Sequence, residues 1–270
     1  MKTILITGCS TGIGRCLANG LKQKNYSVIT TARKKEDIEA LKQDGFEAVM
    51  LNLADSDSIQ AAAKTVLEMT NGQLYALINN AAYGLTGAVE DLPVQALRDQ
   101  FETNVIGTQE LTNLLIPAMR KNNEGRIIQI SSILGFITMK YRGAYCASKY
   151  ALESLSDAMR YELADTNIKI SLIEPGPIKS EFRNNVVTNF NKAIDKENSV
   201  HAKAYEQMES EAGKPVPFML GPEAVLEKAI HALESNKPKT RYYVTFPTYL
   251  FAFLKRILPG TLIDKILLKV

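Results

Sequence analysis

The sequence predicts an α/β fold, a Rossmann-like doubly wound parallel sheet of about seven strands flanked by helices. Three observations predict it. Short apolar runs alternate with longer amphipathic ones along the chain. Several of the short runs are continuously apolar, as strands covered on both faces of a parallel sheet must be. The first of them leads straight into a glycine-rich turn followed by a helical pattern.

In chain order, TILIT (3–7) opens the sheet and is stopped by Gly8, and an amphipathic helix is read over 13–23. YSVITT (26–31) and a helix over 35–44 form the second unit, FEAVML (46–51) and a helix over 55–69 the third. LYALI (74–78) precedes a long helix over 94–120, and RIIQI (126–130) precedes one over 146–165. IKISLI (168–173) ends at Pro175-Gly176-Pro177, and a helix over 222–235 precedes the last strand, RYYVT (241–245). No repeat, low-complexity tract or Pro/Gly-rich linker divides the chain, so residues 1–270 are read as one domain. Two stretches break the rhythm. Residues 177–221 form a long insertion of the kind that serves as a lid over a site. Residues 237–270 form a basic amphipathic tail with seven Lys/Arg against one Asp.

Composition narrows the function. Hydrophobic residues at 46% and charged residues at 23% are ordinary for a soluble globular protein, and a net charge of +3 is too small to argue for nucleic acid. Three cysteines at no ligand spacing and only two histidines argue against a metal site and for reduced thiols. The N-terminus shows no cleavable signal pattern, and the uncharged run from Tyr242 to Leu254 is too short to span a bilayer. A cytoplasmic location is expected.

The turn Thr7-Gly8-Cys9-Ser10-Thr11-Gly12-Ile13-Gly14 is the candidate phosphate site. Glycines allow close backbone approach, and the helix N-terminus that follows offers unpaired N–H groups to an anion. Gly8, Ser10, Thr11, Gly12, Ile13 and Gly14 are therefore assigned to a dinucleotide. After the second strand the chain reads Thr31-Ala32-Arg33-Lys34-Lys35, with no acidic residue to take ribose hydroxyls. Arg33 suits a 2′-phosphate, with Arg15 and Lys34 as assistants, so NADP(H) is favoured over NAD(H). Farther on, GAYCASKYALESL places Tyr145 and Lys149 four apart, on one face of a helix.

Together these motifs resemble the short-chain dehydrogenase/reductase family, over about residues 2–235. TGCSTGIG has that family's glycine spacing, and Asn79-Asn80-Ala81-Ala82 resembles its Asn-Asn-Ala-Gly segment. Asn104, Ser132, Tyr145 and Lys149 resemble its catalytic tetrad, and Pro175-Gly176-Pro177-Ile178-Lys179-Ser180 its nicotinamide-holding segment. The resemblance assigns Asn52, Leu53, Asn80, Pro175, Gly176, Ile178 and Ser180 to the cofactor, along with Tyr145 and Lys149. Departures are Ala82 for glycine, Asn52 for an aspartate that meets adenine, and Ser180 for threonine. More loosely, the tail and SLIEPGPIKSEF resemble a bacterial branch related to hydroxysteroid and retinol dehydrogenases, a branch that includes NADP-dependent aldehyde reductases.

The resemblance implies hydride transfer between cofactor and a carbonyl, with Tyr145 as general acid/base, Ser132 bonding the same oxygen, Lys149 also bonding the nicotinamide ribose, and Asn104 anchoring a water. A free phenol titrates near 10, and an ammonium nearby favours the phenolate. Lys149 and the positive nicotinamide of an oxidised cofactor are thus expected to bring Tyr145 toward neutrality, an effect of about 3–4 kcal/mol of which Lys149 supplies much. Apolar candidates for the substrate wall are Tyr83, Leu85, the stretch 133–141, Phe182, Phe190, Phe218 and Met219, which suits an apolar aldehyde or ketone. Alternatives are an NADPH sensor without turnover, a steroid- or retinoid-type alcohol dehydrogenase using NAD, and a sugar-nucleotide epimerase, whose glycine spacing differs. Family members are commonly dimers or tetramers, and the basic tail can also lie on an anionic membrane surface.

Overall fold

A computed structural model describes residues 1–211, 214 and 216–269; Ala212, Gly213 and Pro215 of the insertion and Val270 of the tail lie outside them. Seven strands, β1 (Thr3–Ile6), β2 (Ser27–Ala32), β3 (Glu47–Met50), β4 (Leu74–Asn79), β5 (Gly125–Ile130), β6 (Ile168–Glu174) and β7 (Arg241–Tyr243), form a single sheet. All pair in parallel, in the order β3-β2-β1-β4-β5-β6-β7. The sequence order reverses between β1 and β4, and the crevice beyond their carboxyl ends is where such sheets bind ligands.

Helices α1 (Gly12–Gln23), α2 (Lys35–Gln43), α3 (Ser56–Met69), α4 (Val94–Phe101), α5 (Gly107–Lys121) and α6 (Gly143–Glu162) follow the first strands. After β6 come α7 (Phe182–Ala193), α8 (Ala202–Ser210) and α9 (Glu223–Glu234), and after β7 come α10 (Phe246–Ile257) and α11 (Gly260–Leu267). Alternate side chains of each strand enter separate cores. Ile4, Ile6 and Ile78 pack with Leu17 and Leu21 of α1 and Val225 and Leu233 of α9 on one face. Leu5, Leu77 and Ile127 pack with Val66 of α3, Leu111 and Leu115 of α5 and Met159 of α6 on the other.

Two expectations change. The helix expected over 94–120 is continuous but carries a wide π turn at Glu102–Ile106, which divides it into α4 and α5. Such turns free backbone groups and re-aim side chains. Here the elbow lets Gly107 approach the Leu53 carbonyl so closely that a Cβ at 107 would stand 1.8 Å from its oxygen. The insertion, read as a long lid loop, carries two helices of its own, and its ends are tied by a bridge between Ile178 and Leu220. No helix among the described residues is long and apolar enough to cross a membrane.

Candidate active site

The glycine turn is built by backbone demands. Gly8 and Gly12 adopt φ of +71° and +59°, where a side chain is strained. A Cβ on Gly14 would lie 2.1 Å from the Gly8 carbonyl oxygen. Thr11 caps α1 without a side-chain hydrogen bond, and the first turn carries no acidic residue, so its N–H groups face outward for an anion. Ser10 and Thr11 are exposed at this mouth. Ser180 stands over the turn, its Cβ 3.1 Å from where a Cβ on Gly12 would sit. The turn thus fits a pyrophosphate cradle.

Asn80, assigned to the cofactor by resemblance, braces this cradle. Its Nδ2 donates to the Thr7 and Gly8 carbonyls, both at 2.9 Å, and the Thr7 Oγ1 accepts from the Asn80 and Ala81 N–H groups, also at 2.9 Å. Thr7, 0% exposed, was not singled out from the sequence, although a hydroxyl at a buried strand end needs such partners. Ala82 lies outside the positive-φ region that would have demanded glycine.

At the end of β2, Arg33 is exposed, and among the described residues no carboxylate lies within ion-pair distance of it. Arg15 is different: it is paired with Asp44 and lies across the Phe46 ring, 5.7 Å from its centroid, which withdraws it from the assisting role. The Asn52 amide oxygen accepts from the Ala54 N–H at 3.2 Å, leaving its second lone pair, and the Leu53 side chain is buried in the α3/α5 core.

On α6, Tyr145 and Lys149 share the buried face. The Lys149 Nζ sits 5.8 Å from the Tyr145 ring centroid and donates to the Ile130 carbonyl at 2.8 Å. Ser132, just beyond β5, accepts the Leu134 N–H at 3.1 Å and lies 3.5 Å from the Pro175 carbonyl oxygen. Both Asn104 amide hydrogens are used, to the Tyr83 carbonyl at 2.9 Å and the Ser148 hydroxyl at 3.1 Å, while its oxygen accepts the Tyr83 N–H at 3.1 Å. Asn104 therefore locks the α4–α5 elbow to α6 through its side chain. A water it anchors can bond the second lone pair of its side-chain oxygen or its backbone. Pro175 also accepts the Ile133 N–H at 2.8 Å, and Gly176 packs so tightly on the start of α10 that a Cβ there would meet the Thr245 hydroxyl at 2.1 Å.

The expected acidified phenol is corrected by burial. Burial pushes the Tyr145 hydroxyl well above the ordinary phenol range, and only its hydrogen bond with Ser132 pulls it partly back. Lys149 is itself drawn down to about 8 by burial, with the Glu153 carboxylate opposing that fall. At rest the phenol is therefore a protonated donor. Glu153 lies one turn beyond Lys149 on α6, and Arg241 of β7 joins it at 3.1 Å, Asp157 at 2.6 Å and Glu174 at 3.1 Å. Burial pushes both Glu153 and Glu174 upward and Arg241 pulls them back.

A pH prediction follows from Lys149. Its charge is present below about 8 and lost above, so any turnover that relies on it falls along an alkaline limb near that value. Glu153→Gln removes the carboxylate that favours the charged amine, and the limb moves to lower pH. A pH–kcat profile in which it stays put contradicts this role for Glu153.

Of the apolar wall residues, Phe182 reaches the chemistry, its ring centroid 5.5 Å from that of Tyr145. Gly84 lies beneath Phe182 and Val186, and its carbonyl accepts from Asn189 at 3.2 Å, so α7 closes over the site. Tyr83 is half-buried, its phenol pushed up to about 12 mainly by burial. Leu85 and Phe190 are instead buried packing residues, Phe190 against Tyr205 at 4.9 Å, and are removed from the wall. Phe218 points outward, 58% exposed.

The family model for short chain dehydrogenase matches residues 2–191. The chain is 43% identical over 267 residues to the uncharacterized oxidoreductase YbbO of Escherichia coli strain K12, covering 98% of this chain and 94% of that one. It is 30% identical to the NADPH-dependent 3-dehydrocapnine reductase of Ornithobacterium rhinotracheale, over 100% and 97% of the two chains. Identity to retinol dehydrogenase 8 of Homo sapiens is 32%, over 89% and 80%. A solved short-chain dehydrogenase from Streptomyces avermitilis shares the fold with a TM-score of 0.78 at 29% identity, covering 95% and 93%. With a seven-stranded parallel sheet, a glycine cradle at its first turn and this match across most of its length, the chain belongs to the short-chain dehydrogenase family of oxidoreductases, with retinol and hydroxysteroid dehydrogenases among its relatives.

Proposed function

We propose that the protein is an NADP(H)-dependent oxidoreductase that interconverts a carbonyl and an alcohol on an apolar substrate. The observation that carries this reading is the Tyr145 phenol: 9% exposed, with the Ser132 hydroxyl favouring its ionised form against burial, the Lys149 ammonium nearby and Phe182 of the lid over it. When bound, the cofactor supplies or takes a hydride. Tyr145 gives its proton to the carbonyl oxygen as that oxygen becomes a hydroxyl. Ser132 donates to the same oxygen and fixes its direction. Lys149 keeps positive charge beside the phenol as the proton leaves, and Asn104 holds the elbow that backs α6. The glycine turn, Arg33, Asn52, Leu53, Asn80 and the segment Pro175–Ser180 form the dinucleotide side.

Two observations favour NADP(H): an exposed arginine with no partnering carboxylate after β2, and a full-length relative named as an NADPH-dependent reductase. Arg33→Ala is expected to weaken NADPH by about 10–100-fold, the loss of a charge-assisted pair worth about 1.5–3 kcal/mol, and to leave NADH nearly unchanged. Fluorescence titration of both cofactors checks this, and equal loss for both removes Arg33 from the 2′-phosphate. For the activity itself, the test is NADPH oxidation across aldehydes and ketones graded by chain length and ring size. Turnover with none of them, alongside intact NADPH binding, would favour a sensor. Exposed Leu114, Leu155 and Tyr161 on α5 and α6 suit a homodimer or homotetramer packed through those helices. Three free cysteines among the described residues agree with a cytoplasmic setting.

A further inference from the structure

The α10 helix has two unlike faces. Inward, Thr248 is fully buried and, with Thr245, seats Gly176 at the end of β6. Outward, Phe246, Tyr249, Leu250, Phe253 and Ile257 recur at helical spacing and are 58, 50, 38, 60 and 55% exposed. A run of large apolar groups this open on one helix face marks an interaction surface.

The surface continues toward the lid. The Phe218 ring packs at a tilt on that of Phe246, 5.0 Å between centroids, and its backbone is held at φ +61°, a conformation costly for an aromatic residue. Two residues later Leu220 pairs with Ile178 of the Pro175–Ser180 segment. The apolar face and the neck of the lid therefore form one continuous margin of the site.

Charge identifies what meets this face. Helices α10 and α11 carry Lys255, Arg256 and Lys265 against Asp264, and Arg256 and Lys265 are exposed. Lys255 is committed elsewhere, to the Phe136 carbonyl at 2.5 Å. A second copy packed face to face would set two such basic segments against each other. An anionic bilayer supplies both requirements, acidic headgroups for the cations and an acyl boundary for the aromatic and aliphatic groups.

We propose that α10 and α11 dock the protein onto an anionic lipid surface, with Phe246, Phe253 and Ile257 entering the headgroup–acyl boundary, so that an apolar substrate reaches the lid from the membrane. The docking stands on its own. Only the delivery of substrate rests on the function proposed above.

The test is flotation of the full chain with vesicles of phosphatidylcholine alone and of phosphatidylcholine with one third phosphatidylserine. Binding at least about tenfold stronger to the acidic vesicles, reversed by raised salt, is expected. Phe253→Glu with Ile257→Glu should abolish binding while turnover of a water-soluble aldehyde stays unchanged. Arg256→Glu with Lys265→Glu, which leaves the apolar row intact, should weaken it by at least about tenfold. No binding to acidic vesicles at low salt overturns the proposal. So does a concentration-dependent dimer, seen by light scattering, that Phe253→Glu with Ile257→Glu dissolves. Because flotation needs no turnover, a failed substrate screen leaves this result intact, and a failed flotation leaves the screen intact.

Discussion

Tyr145→Phe lowers kcat for carbonyl reduction by about 10²–10⁴-fold while NADPH binding stays within about twofold of wild type. The phenylalanine ring keeps the packing on Phe182, 5.5 Å between centroids, and removes only the hydroxyl. The fold should therefore persist, and melting should show it. Burial holds the wild-type phenol protonated, so the loss is of a proton already in place. Stopped-flow mixing of NADPH and substrate separates the hydride step from binding. An unchanged rate would remove Tyr145 from the reaction and, with it, the reading of Ser132 and Lys149 as its partners.

Gly14→Ala is the second large effect, and it acts on stability and cofactor together. The new methyl would stand 2.1 Å from the Gly8 carbonyl oxygen and 2.5 Å from Asn80 Nδ2, so the turn must open and release the bonds Asn80 makes to Thr7 and Gly8. Overpacking of about 1–3 kcal/mol plus about 0.5–1.5 kcal/mol for each bond lost lowers Tm by roughly 5–10 °C. NADPH affinity falls at least about tenfold, since the N–H groups of the turn lose their positions. Gly260→Ala is the matched control, because nothing stands within 4 Å of a methyl there and its Tm should not fall. Equal melting for the two variants contradicts the account of the cradle.

The inner strands were legible because each is a short, largely apolar run buried on both faces, and the edge strands β3 and β7, less buried, because a polar or turn residue bounds each run. The break in the long helix was not. Apolar periodicity passes through the turn at 102–106, and the close packing it accompanies, Gly107 on the Leu53 carbonyl, joins residues far apart in the chain. In the insertion, α7 is rich in asparagine and β-branched residues, weak helix formers that tertiary packing overrides. At the site, spacing disclosed Tyr145 and Lys149 but not their proton affinities, which follow from burial. Thr7, Glu153 and Arg241 were silent for the same reason, since their partners come from other strands or the far end of the chain.

Arg241 has a consequence for how such proteins can be taken apart. It lies beyond the 2–191 stretch that defines the family match, yet it is the counter-ion facing the fully buried Glu174 and its neighbour Glu153. A chimera that grafts the shared portion onto a foreign C-terminus leaves two buried carboxyl groups without their guanidinium, and Glu174 is then neutralised by a proton. The last strand is therefore inseparable cargo: recombination among homologues must carry it with the core or install another cation in its place.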